Sequence, residues 1–152
     1  MTGILLAIAS SIVLCGPVDA QVRATRPAIL FEYHGANRGD GGVVFSVSVY
    51  EAGSVVFAGI RNTATSGEAQ IEVERARVQE WLSALIKNGA LVREERPTDI
   101  PTPDSDWYRL TVATTEATNS FRSHGWNRTH PLIQAMDAML KEIELEKRWV
   151  SR

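Results

Sequence analysis

Cysteine is nearly missing from this chain. Among its 152 residues only Cys15 carries a thiol, which excludes an intramolecular disulfide and a thiolate metal site. Charge of one sign is missing too. Lys and Arg number 16 against 18 Asp and Glu, so the clustered cations that a nucleic-acid interface needs are not in excess. No apolar run approaches the roughly 20 residues that span a bilayer. Internal repeats, heptads and low-complexity tracts are also missing, which leaves a chain of one-domain length that is 44% hydrophobic.

The N-terminus has the outline of an export signal. Residues 4–14 (ILLAIASSIVL) are apolar, Gly16-Pro17 breaks the run, and Val18-Asp19-Ala20 offers small residues where signal peptidase cuts. Cleavage before Gln21 is therefore expected, and Asp19 is the only charge it removes, leaving 16 basic residues against 17 acidic. Two alternatives stand beside it. One is a buried N-terminal helix, which Gly16-Pro17 would break at once. The other is lipid attachment at Cys15, although Leu14 is larger than the residue a lipobox places there. The expected organisation is a signal peptide over 1–20, a flexible leader over 21–27 and a single domain over 28–150. It implies a periplasmic or secreted protein with no transmembrane span once the signal is cleaved.

Within the domain, residues 28–33 (AILFEY) read as a strand and 34–42 as a Gly-rich loop. Residues 43–50 (VVFSVSVY) alternate Phe45, Val47 and Val49 against Ser46, Ser48 and Tyr50, the period of a half-buried strand. Glu51-Ala52-Gly53 turns the chain and residues 54–60 (SVVFAGI) return, which makes a hairpin. Ile71 and Val73 suggest a short additional strand. Over 75–87, Val78, Trp81, Leu82, Leu85 and Ile86 fall on one helical stripe, and Asn88-Gly89 sits where a left-handed cap ends a helix. Residues 94–106 are proline- and acid-rich and read as a surface loop. A second hairpin joins residues 107–114 to 119–126 about Glu116-Ala117. Pro131 at a first helical position then opens a stripe of Leu132, Met136, Met139, Leu140 and Ile143, predicted to run through Lys147. It is supported by the i,i+4 pairs Asp137 to Lys141 and Glu144 to Arg148. The order β-β-β-α-β-β-α predicts an α+β fold, with an antiparallel sheet of four to five strands and two amphipathic helices on one face.

The spacing Phe45-x-Val47-x-Val49-x-x-x-Gly53-x-Val55-x-Phe57-x-Gly59 resembles a small bacterial exported family of unknown function. That family opens this hairpin with a Cys-Pro-x-Tyr element. The layout is similar over residues 28–145, and the resemblance implies the fold and the exported compartment. Here Gly42-Val43 stands in place of Cys-Pro and Phe45 in place of Tyr, so no thiol-dependent property carries over.

Chemical motifs are sparse. Residues 34–42 lack the Gly-Lys-Ser/Thr of a phosphate loop and lead into a strand, while Arg38-Gly39-Asp40 is an integrin-type tripeptide of low specificity. Asp104-Ser105-Asp106 begins like a calcium loop but continues with Tyr108 and Arg109 where further ligands belong. His34, His124 and His130 have no zinc spacing, and neither Ser66 nor Ser123 lies in G-x-S-x-G. No cofactor and no metal are therefore expected. The outer face of the second hairpin is more informative. Pairing about Glu116-Ala117 sets Arg109 opposite His124 and Thr111 opposite Arg122, with Trp107 and Trp126 on the same side. Trp and Arg are enriched where proteins bind partners. The first expectation is a non-enzymatic module that binds a protein or envelope component through Trp107, Arg109, Arg122, His124 and Trp126. The alternative is a small cofactor-free hydrolase using His34 or His124 with Asp40 or Asp104.

Overall fold

The computed structural model describes residues 26–36, 41–92, 105–125, 128–143 and Trp149. Six strands and two helices follow one another: β1 (Ile29–His34), β2 (Val44–Val49), β3 (Ser54–Arg61), β4 (Gly67–Glu72), α1 (Arg75–Lys87), β5 (Trp107–Ala113), β6 (Thr118–His124) and α2 (Pro131–Glu142). The strands form one sheet in the order β4-β3-β2-β1-β5-β6, and every neighbouring pair is antiparallel. The fold is α+β, as the order of elements predicts, with six strands rather than four or five.

The additional strand is β4. It needs only Ala69 and Ile71 on its inner side, both partly buried, while Glu68, Gln70 and Glu72 are exposed. Such a strand shows little apolar alternation, so sequence hints at it only weakly. Val73 lies just beyond it, and its N–H is bonded to the Gly53 carbonyl.

One face of the sheet carries the core. Ile29 and Phe31, Val47 and Val49, Val55 and Phe57, Tyr108, Leu110 and Val112 are buried and cluster with the apolar stripes of both helices. Paired residues of an antiparallel ladder project to the same side, so these positions recur at every second residue on each strand. In α1 the buried set is Val78, Trp81, Leu82 and Leu85; Ile86, placed on the stripe by its spacing, is 38% exposed. In α2 it is Leu132, Ile133, Met136, Met139 and Leu140. The helices also meet directly, where the Trp81 indole Nε1–H donates to Glu142 Oε2 at 2.9 Å.

The helix ends follow their sequence signals. After α1, the N–H of Ala90 reaches the Leu85 carbonyl and that of Gly89 the Ile86 carbonyl, with Gly89 at φ +94°. This is the Schellman arrangement, for which glycine carries no steric penalty. His130 caps α2, its Nδ1 accepting from Leu132 N–H, and Pro131 occupies the first turn. The Asp137–Lys141 pair forms at 2.8 Å, while Glu144, Lys147 and Arg148 lie outside the described residues.

Candidate functional site

The face opposite the helices is built by the alternate residues. On it, His34 of β1, Trp107 of β5 and His124 of β6 are directly opposite one another in successive strands; Glu32, Arg109 and Arg122 form the next row, and Leu30, Thr111 and Ser120 the third. This corrects the register expected for the second hairpin. Arg109 lies opposite Arg122, not His124, and Thr111 opposite Ser120, not Arg122. The reason is the turn. Thr114 N–H bonds the Ala117 carbonyl, and Thr114 Oγ1 accepts from the N–H groups of Glu116 and Ala117, so the loop closes over Thr114 to Ala117. The shift is two residues along the partner strand. Because side chains alternate with period two, a two-residue shift leaves each residue on its predicted face.

Trp107 is the centre of the arrangement. The His34 ring stacks on it with centroids 3.7 Å apart and planes 11° from parallel. The Arg122 guanidinium carbon lies 4.5 Å from the indole centroid, and that of Arg109 lies 5.9 Å away. Since β1 and β6 flank β5 on opposite sides, His34 and Arg122 approach the indole from opposite sides. A cation held over an indole face is attracted by the ring quadrupole, at about 0.5–1 kcal/mol for an exposed site. Arg109 also pairs with Glu32 at 3.4 Å, a half-exposed contact.

The histidines differ in setting. His34 is held below the ordinary imidazole range, first by partial burial and then by the cations of Arg61, Arg109 and Arg122, against which Glu32 acts in the opposite direction. His124 keeps its Nδ1 buried with no hydrogen-bond partner among the described residues. His130 belongs to the cap of α2, on the helix side.

Of the five residues predicted for the patch, four are therefore gathered on one face: Trp107, Arg109, Arg122 and His124. Trp126 lies outside the described residues. Two contributors, His34 and Glu32, come from β1, about 75 positions away in the chain, and no local pattern announces that β1 sits beside β5. Asp40 and Asp104, the carboxylates of the hydrolase alternative, lie outside the described residues, and Asp106 Oδ1 accepts from Ala36 N–H at 2.6 Å, tying the end of β1 to the start of β5. Neither His34 nor His124 is hydrogen-bonded to a carboxylate among the described residues. Also among those residues, no group of three His, Cys, Asp or Glu side chains is placed to hold a metal ion, and no helix is long and apolar enough to cross a membrane.

No protein-family model matches the chain, and no curated protein matches it.

Proposed function

We propose that the chain is an exported, non-enzymatic module that binds a protein or a cell-envelope component through the open sheet face around Trp107. The observation that carries this reading is the cross-strand ladder His34–Trp107–Arg122, with Arg109 beside it. Aromatic and arginine side chains held rigidly by their neighbours lose little conformational entropy when a partner docks, which is why such clusters dominate binding energy. The indole is flanked on both sides, so a partner meets its rim and the neighbouring guanidinium groups. Groups that accept hydrogen bonds and carry negative charge suit that surface. The signal-peptide pattern expected over residues 1–20 and the resemblance to an exported family support the exported part of this reading.

The test is retention of a partner from an envelope or culture fraction on the immobilised protein and on three variants: Trp107→Ala, Arg122→Ala and Ser48→Ala. Ser48 is on the same open face but in β2, away from the ladder. A component held by wild type and Ser48→Ala, and lost at least tenfold by Trp107→Ala and Arg122→Ala, is the expected result. Equal retention by all four proteins contradicts the reading.

A further inference from the structure

The opposite end of the sheet carries a second feature, which does not depend on the Trp107 surface. Among the described residues β4 is an edge strand, paired with β3 alone. Hydrogen bonds at the strand ends fix which backbone groups face outward. Tyr50 N–H bonds the Ser54 carbonyl, so Ser54, Val56 and Ala58 of β3 turn their backbone groups toward β2; Val73 N–H bonds the Gly53 carbonyl, so Val55, Phe57 and Gly59 turn theirs toward β4. By the alternation of an antiparallel ladder, Ile71, Ala69 and Gly67 answer them, and the N–H and C=O groups of Glu68, Gln70 and Glu72 point away from the sheet. Among the described residues nothing bonds to that outward row. The strand has no proline, no lysine and no bulge, three of the devices that stop an edge from pairing, and its charged side chains are Glu68 and Glu72.

The side chains of the same three residues are exposed on the open face. They decide which strand this edge accepts. A second copy pairing about a two-fold axis in full overlap would set Gln70 opposite Gln70 and each Glu68 opposite the other copy's Glu72. Like charges directly opposite destabilise a ladder. A strand carrying Lys or Arg at every second position would set cations against Glu68 and Glu72 instead.

The geometry points to the β4 edge as a docking site for an extended, basic segment of another protein, added antiparallel as a seventh strand. Backbone bonds to Glu68, Gln70 and Glu72 hold the segment, and the two carboxylates select its charge.

The probe is the capped peptide Thr-Lys-Thr-Lys-Thr-Lys-Thr, with its Lys-to-Glu counterpart as control, added at millimolar concentration to the 15N-labelled full chain. Amide shifts and slowed hydrogen exchange confined to Glu68, Gln70 and Glu72, with the lysine peptide only, are expected. Gln70→Pro removes one outward N–H at a position where an edge strand tolerates proline, and is expected to abolish binding while the spectrum of the rest of the sheet is kept. Should that variant fail to fold, the Glu68→Gln/Glu72→Gln double variant serves, with binding of the lysine peptide weakened about two- to thirtyfold, as expected for the loss of two exposed ion pairs. The proposal is overturned by protection at another strand, by no protection with either peptide, by equal binding of both peptides, or by concentration-dependent protection of these amides without peptide, which would make a second copy the occupant.

Discussion

At position 34 an imidazole ring lies face to face with an indole brought from position 107, and three arginines, Arg61, Arg109 and Arg122, oppose its protonation. Partial burial acts in the same direction and is the largest cause. A base whose folded value is depressed binds its proton more readily when unfolded. The stability it contributes is therefore present above its unfolded value, near 6.5, and is lost as pH falls through the lower folded value. An NMR titration is expected to place the His34 ring below 6.5, and urea unfolding between pH 5 and pH 8 should show wild type losing more stability on acidification than His34→Gln. A ring that titrates at or above 6.5, with parallel stability curves, would contradict this.

Single residues also show where sequence patterns succeed. Gly89 and Pro131 sit where backbone constraints alone demand them, and both helix boundaries follow. His34 was legible as a histidine and not as a stacking partner, since its role depends on β5 lying beside β1. That adjacency is set by closing a core between distant segments, which no window of sequence contains.

For the helices, a 3.6-residue period indicates which side is buried, and the structure sharpens its edge. Leu85 is fully buried whereas Ile86, one position on, is 38% exposed. Leu85→Ala is expected to cost about 2–5 kcal/mol in denaturant unfolding, and Ile86→Ala less than about 1 kcal/mol. Equal losses would mean that α1 is rotated relative to this account. The strands show the complementary lesson. The pairing that sequence predicts for β5 and β6 is two residues out of register, yet Trp107, Arg109, Thr111, Arg122 and His124 lie on the face it predicts, because strand periodicity fixes the face and turn geometry fixes the register. β4 was the hardest element to read. As an edge strand with a single partly buried side, it needs few apolar residues and so leaves little signal.

As a whole, the described residues form a sheet with both helices on one side. The core side explains folding: apolar residues from every strand and both helices close one cluster, among them Trp149, whose ring stacks on Phe57 at 5.0 Å. The open side explains the proposed activity, since it places the aromatic and cationic ladder at the β5–β6 end and two carboxylates at the β4 end. Most of this division was readable from alternation alone, while the membership of the ladder required the strand order. In the proposed function, partner binding runs through Trp107. The most direct measurement installs a photo-crosslinking side chain at Ser120, exposed on the same face in β6, and irradiates the protein mixed with an envelope or culture fraction. A discrete crosslinked species that disappears when Trp107→Ala is added, with folding unchanged by circular dichroism, is the predicted result. A species that persists undiminished in the Trp107→Ala protein would contradict the account.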